Sequence, residues 1–282
     1  MKYINGLRLK KVKTFLLLIL IGIYLFAQNK WVDVDKIKIQ VESLPSSLDG
    51  FKIVHVSDLH IPHNEIEIEK LIDILKIEKP DIIALTGDII SSGSNLDYSN
   101  LEILLEELPK ITKVYAVLGN HESRNDYLDE YKEMLKKSNI ILLEDEYEIS
   151  SKDGYSIGII GLRDNSIYKK ENIEDIEKIK DMPIIMLAHR PEKIDEYFSE
   201  RNSVKPTLVL SGHAHGGQFR IPFLKRGLIA PNQGFFPKYT SGIYKAENGG
   251  VMVVSRGLGR SVIPFRINNR IHLPVIELKK TI

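Results

Sequence analysis

The sequence predicts an α/β protein whose sheets are covered by helices, and two observations carry that reading. Short β-branched runs alternate with stretches whose apolar residues recur at i, i+3, i+4 and i+7, the period of an amphipathic helix. Five of the apolar runs also stop at oxygen- or nitrogen-bearing side chains, and the carboxyl ends of strands are where such sheets gather ligands. The run 51–56 ends at Asp58 and His60, 82–85 at Asp88, and 114–118 at Asn120 and His121. The run 184–188 ends at His189, and 207–210 at His213 and His215.

Taken in order, the alternation Val32, Val34, Ile37, Ile39, Val41 predicts one or two half-buried strands, and 44–50 a turn. After the 51–56 strand, Ile68, Leu71, Ile72 and Leu75 share one helix face ahead of Pro80. Leu101, Leu104, Leu105 and Leu108 repeat that spacing up to Pro109, and a third helix is predicted around 127–137. Strands near 140–143, 146–149 and 155–160 follow, the last two joined by the turn Lys152-Asp153-Gly154, and then a helix over 171–180. A helix from Pro191 leads into the 207–210 strand, and 219–241 predicts a long loop rich in Pro, Gly and aromatic residues. Asn248-Gly249 predicts a hairpin between 242–246 and 251–255, and a strand through 271–278 closes the chain. No repeat, low-complexity tract or linker follows Lys30, so residues 31–282 read as one domain.

Composition is that of an ordinary globular protein, 43% hydrophobic and 27% charged over 282 residues. The absence of cysteine excludes a disulfide framework, a thiolate metal site and a Cys nucleophile. Lys2, Arg8, Lys10, Lys11 and Lys13 supply five of the 39 basic residues, leaving 34 against 38 acidic ones over 14–282. That net charge of −4 argues against nucleic acid as a partner. The five charges precede thirteen uncharged residues, Phe15 to Ala27. Residues 1–30 therefore read as a basic n-region with a signal-anchor or signal peptide. The run is shorter than the ~20 residues of a usual spanning helix, which favours a signal peptide. The only cleavage candidate, Leu25-Phe26-Ala27, carries a large Leu at its −3 position, which favours retention as an anchor. Positive charge before the span places 1–13 in the cytoplasm and the domain on the far side. Secretion after cleavage is the alternative.

On an extended segment residues i and i+2 point the same way, so Asp58 and His60 can reach one ion. Alone, Ser57-Asp58-Leu59-His60 fits a solvated turn equally well. Five of the eight histidines occupying strand tips shift the balance to a ligand set. Imidazole, carboxylate and carboxamide without thiolate suit manganese, iron or zinc. Seven candidate ligands, Asp58, His60, Asp88, Asn120, His189, His213 and His215, exceed one tetrahedral shell, so two divalent ions are expected with Asp88 as the natural bridge. Such a pair acidifies a shared water and clamps an in-line displacement at phosphorus. His121, just past Asn120, suits protonation of the leaving oxygen.

These motifs in this order resemble the calcineurin-like metallophosphoesterases: Asp58-x-His60, Gly87-Asp88, Gly119-Asn120-His121-Glu122, His189 and Gly212-His213-x-His215. The resemblance spans residues 51 to about 217. It implies a four-layer α/β/β/α sandwich and a dinuclear centre. One metal would take Asp58, His60, His215 and shared Asp88, and the other Asp88, Asn120, His189 and His213, with His121 as general acid. Gly216-Gly217-Gln218, 230–234 with Pro237-Lys238-Tyr239, and 254–259 are similar to a bacterial membrane- or envelope-associated branch that includes UDP-diacylglucosamine pyrophosphatases. The chain departs from the family's phosphoprotein phosphatases after Gly87-Asp88: Ile89-Ile90-Ser91-Ser92-Gly93 holds neither an acid to orient His121 nor an Arg to grip phosphate. Ile61-Pro62-His63 is also unusual beyond the first motif.

The expected function is hydrolysis of phosphate ester or pyrophosphate bonds, on a small molecule or a lipid-linked envelope substrate. A catalytically lapsed metal-binding module on the same fold and a nuclease are the rival readings. His55, His63 and His272 receive no role. Asp164 and Asn165 suit a turn cap or a substrate contact. Arg163 and Arg256 suit solvated charges or phosphate grips. Phe219, Phe223, Phe235 and Phe236 suit loop packing or an apolar rim.

Overall fold

α1 (Lys2–Lys30) is one continuous helix, longer than the apolar run inside it, because the flanking lysines and Asn29 extend the helix without a breaker. Its 21 residues from Lys10 to Lys30 are long and apolar enough, by length and composition, to cross a membrane. The computed structural model describes residues 2–42, 44–93, 97–166, 173–202, 204–221, 226–247, 249–260 and 265–281, with 2–9 as backbone. Phe223, Asn248 and the start of the expected 171–180 helix lie outside these residues.

The first half of the domain is β1 (Asp33–Val41), β2 (Lys52–Val56), α2 (Ile68–Glu78), β3 (Ile82–Thr86), α3 (Tyr98–Ile111), β4 (Lys113–Val117), α4 (Leu128–Lys137) and β5 (Ile141–Leu142). The predicted faces are the buried ones: Leu71, Ile72 and Leu75 of α2, and Leu101, Leu104, Leu105 and Leu108 of α3. Asp97 caps α3 by accepting from the Asn100 N–H at 3.3 Å. That helix runs two residues past Pro109, whose missing N–H falls in the last turn. Then come β6 (Glu146–Lys152), β7 (Tyr155–Gly161), β8 (Ile184–Leu187), α5 (Ile194–Tyr197) and β9 (Leu208–Ser211). Four two-residue strands follow, β10 (Arg220–Ile221), β11 (Arg226–Gly227), β12 (Ile229–Ala230) and β13 (Gly234–Phe235). β14 (Gly242–Lys245), β15 (Val251–Val254) and β16 (His272–Lys280) close the chain.

Two six-stranded sheets result, ordered β1-β16-β2-β3-β4-β5 and β14-β15-β9-β8-β7-β6. Val54, Leu71, Leu104 and Leu135 lie in the core between the first sheet and α2–α4. Ile53, Tyr115, Ile159 and Leu210 fill the space between the sheets. Met186, Tyr197, Phe198 and Val209 lie in the core outside the second sheet. The architecture is the expected α/β/β/α sandwich. β2, β3 and β4 are parallel, and so are β7, β8 and β9, so each set presents its carboxyl ends at one edge.

Three local expectations change. Over the described residues 173–180 the expected helix is a 3-10 turn, Ile176–Ile179, and the helix from Pro191 is a 3-10 turn plus the four residues of α5. Segment 219–241 is not open loop but two ribbons, β10 with β11 and β12 with β13. Two-residue pairings have no periodic signature, so only neighbouring chain decides them.

Two buried histidines outside the strand tips carry a prediction. Burial lowers His55 to about 3, and burial, only partly offset by Asp35 at 3.2 Å, lowers His272 to about 4. Each ring is neutral in the fold and titrates near 6.5 when unfolded. Stability from each is therefore intact above pH 6.5 and is lost as pH falls from there toward the folded value, by about 1.4 kcal/mol per pH unit per ring. Urea unfolding between pH 7 and 5 should show His272→Gln losing less stability than the unaltered chain. Equal losses would contradict the assignment.

Candidate metal centre

The site lies where the parallel strand tips of the two sheets meet. Asp58 and His60 follow β2, Asp88 follows β3, Asn120 and His121 follow β4, His189 follows β8, and His213 and His215 follow β9. Five of these residues hold positive φ: Asp58 (50°), His60 (55°), Asp88 (54°), His213 (64°) and His215 (46°). Side chains rarely adopt that region, and such outliers concentrate at functional sites. The motif glycines permit the close approach. A Cβ on Gly119 would meet Asp88 Oδ1 at 2.2 Å, and one on Gly212 would meet Ser57 Oγ at 1.9 Å.

Among the described residues three groups have their ligand atoms within 4.8 Å of one another: the triads Asp58, His60, His215 and Asp88, His189, His213, and between them His60, Asp88 and His121. In the first, His60 Nε2 and His215 Nε2 are 3.1 Å apart, and His215 Nε2 lies 3.4 Å from Asp58 Oδ1. In the second, His189 Nε2 lies 3.2 Å from Asp88 Oδ2 and 3.1 Å from His213 Nδ1. Asp88 Oδ2 is 3.9 Å from His60 Nε2, so one carboxylate reaches both triads. Asn120 sits beside them, and its Oδ1 is buried without a hydrogen-bond partner. All eight residues expected at the site lie at this one edge.

The donor set fits a cation. Burial lowers His60 to about 3, His213 to about 2 and His215 well below its usual value, leaving neutral rings with inward lone pairs. Burial also raises Asp58 to about 6. Burial opposes charge on His189 too, but the adjacent Asp88 carboxylate outweighs it and pushes the ring up to about 10.

Several supporting contacts were not legible beforehand. His189 Nδ1–H donates to the Thr86 carbonyl at 2.8 Å, which turns Nε2 toward the cluster. The His213 amide donates to both Asp58 oxygens at 3.0 and 3.1 Å. Glu122 is fully buried and accepts from the amides of Asp88, Ile89, Ile90 and Gly119 at 2.6–3.0 Å, tying the β3 tip to the β4 tip. Asn269 Nδ2 donates to the carbonyls of His215 and Gln218 at 2.7 and 3.0 Å. Asn232 Nδ2 lies 3.4 Å from His213 Nε2.

His121 finds its partner in the segment that lacks an acid. The Ser92 N–H donates to His121 Nδ1 at 3.1 Å, and Ser92 Oγ lies at the same distance. In the neutral ring the proton therefore resides on Nε2. The His121 amide donates to Asp88 Oδ1 at 2.8 Å. Arg256 pairs with Asp33 at 2.6 Å. Asp164 is held by Arg190 in a two-point pair at 2.7 and 3.0 Å. The peptide Ile61–Pro62 is cis, and Ile61 bridges to Ile90.

A four-layer sandwich with buried carboxylates and imidazoles converging at its strand tips defines the class of metal-dependent phosphoric ester hydrolases. The family model for the calcineurin-like phosphoesterases matches residues 51–217, and the chain belongs to that family. It is 30% identical over 246 residues to the uncharacterized metallophosphoesterase YkuE of Bacillus subtilis, covering 84% of this chain and 82% of that protein. It is 28% identical over 264 residues to a transmembrane protein with metallophosphoesterase domain of Danio rerio, covering 89% of this chain but 57% of that one. Among solved structures, the 5'-nucleotidase precursor from Thermus thermophilus shares the fold at a TM-score of 0.50 and 14% identity, over 81% of this chain and 54% of that chain.

Proposed function

We propose that the chain is a membrane-attached phosphoesterase that works with two divalent metal ions, manganese by preference with iron or zinc as alternatives. The observation that carries this is the pair of triads joined by Asp88 within 3.9 Å. Asp58, His60 and His215 would hold one ion and Asn120, His189 and His213 the other, with Asp88 shared. When bound, such a pair supplies an acidified bridging water as nucleophile and polarises the phosphoryl oxygens. His121, as imidazolium with Nδ1–H donated to Ser92 Oγ 3.1 Å away, would give its Nε2 proton to the leaving oxygen and return to the neutral ring. Glu122 keeps the Asp88 and His121 loops in register. The carboxamide and imidazole ligands leave the charge of two cations only partly neutralised by Asp58 and Asp88, so the site attracts an anionic phosphate ester.

In this reading residues 1–30 anchor the chain, 1–13 lie in the cytoplasm, and 31–282 form the catalytic domain outside it. The substrate is a phosphate-ester small molecule or a lipid-linked ester rather than nucleic acid. The test is the manganese-loaded full chain assayed on an aryl monoester, an aryl diester, a nucleotide-linked lipid and a phospholipid. At least one should turn over, with turnover abolished by chelation and restored by manganese. A protein carrying two equivalents of metal yet inert on all four would overturn the proposal.

A further inference from the structure

The sequence is close to neutral overall, yet its charge is sharply segregated. Residues 213–241 and 255–276 contain eight basic side chains and no acidic one, leaving 26 basic against 38 acidic residues in the remainder of 14–282. The two stretches meet in space. Phe219 bridges to Ile267, and the rings of Phe219 and Phe265 lie 5.5 Å apart. Leu228 N–H donates to the Phe219 carbonyl at 2.8 Å, and Phe236 N–H to the Leu228 carbonyl at 2.9 Å. Together they form one cap beside the candidate metal centre, joined to it at Asn232 and Asn269.

The cap is apolar and basic where it faces outward. Phe235 is 72% exposed, Phe236 60% and Phe265 48%, and Arg226, Lys238 and Arg270 are exposed. Aromatic rings interleaved with Arg and Lys are the composition of a membrane–water interface, where rings sit at headgroup level and cations meet lipid phosphates. Its height relative to α1 is set by contacts. Tyr24 hydrogen-bonds Asn268, and Asn29 exchanges hydrogen bonds with Arg266 at 2.7 and 3.2 Å. Tyr24 lies six residues before Lys30, about 9 Å down the helix axis. Residues 266–268 thus flank the last two turns of α1 rather than the chain above it. Trp31, directly after α1, is 57% exposed, with Arg270 5.8 Å over its ring.

We propose that this cap is a bilayer-contact surface, with Phe235, Phe236 and Phe265 seated in the interface of the membrane that α1 crosses and Arg226, Lys238 and Arg270 among its anionic headgroups. The inference rests on the reading of α1 as an anchor. It sets the candidate ligand His215 four residues along the chain from Phe219, whose ring packs on Phe265, so the phosphates within closest reach are those carried on lipid.

The test needs no turnover. Trp31 is the only tryptophan, so the unaltered full chain in nanodiscs of brominated phosphatidylcholine and phosphatidylglycerol reports the end of α1. Phe236→Trp and Phe265→Trp, each in a Trp31→Phe background, report the cap. Tyr155→Trp, on the hairpin between β6 and β7, is the control. Both cap positions should be quenched at least about twofold relative to unbrominated lipid, as rings within the 5–10 Å interfacial layer are, with the control unchanged. Quenching of Trp31 with cap positions no more quenched than the control would overturn the cap while leaving the anchor. No quenching at Trp31 or the cap would overturn both, with the phosphoesterase reading still to be judged by its own assay.

Discussion

Asp88→Asn is expected to lower turnover at least about 100-fold and to remove at least one equivalent of bound metal, since losing a shared ligand should exceed the 10–100-fold cost of losing an outer-shell contact. The expectation follows from position. Asp88 Oδ2 stands 3.2 Å from His189 and 3.9 Å from His60, so its charge serves both triads. Its Oδ1 accepts the His121 amide, a bond that the Asn carbonyl can keep, so the loop should hold while charge is lost. Metal content by mass spectrometry and turnover on the best ester of the panel are the measurements. Full occupancy with full turnover would remove Asp88 from the centre and the two-metal reading with it.

His121→Ala should separate acid from ligand. His121 lies within ligand reach of His60 and Asp88, as well as in position to serve a leaving group. An acid is worth about 10²–10⁴-fold where the leaving oxygen needs a proton, and little where it does not. The variant should therefore keep its metal, lose that factor on phenyl esters and lose far less on 4-nitrophenyl esters. Loss of metal together with equal losses on both esters would make His121 a ligand. Ser92→Ala should show the same leaving-group pattern at about 3–10-fold, one ordinary hydrogen bond, because it removes the hydroxyl that would accept from Nδ1–H of the acid form. Equal losses on both esters in Ser92→Ala would deny it the positioning role.

Much of the architecture could be read directly. The i, i+3, i+4, i+7 leucines marked α2 and α3 because a helix must bury one face, and unbroken β-branched runs marked strands buried on both sides. The candidate ligand set was legible because parallel strands all end on the same side, so residues terminating separate runs must meet. Short segments were not legible. Nothing periodic distinguishes a two-residue ribbon such as β10 with β11 from loop. The parallel pairing of β1 with β16 joins strands more than 230 residues apart, a relation no local pattern encodes. The apolar run alone also understated α1, since helix continues through polar residues that a hydropathy count excludes.

The sequence by itself determined sheets covered by helices, the candidate ligand types and their order along the chain, because burial periodicity and strand direction are properties of consecutive residues; the four-layer sandwich came from the resemblance to the family. Only the tertiary structure decided that Ser92 stands where an orienting acid was sought, and that the two basic stretches meet beside α1. Those facts depend on distances between residues far apart in the chain, and such distances exist only once the two sheets have packed face to face.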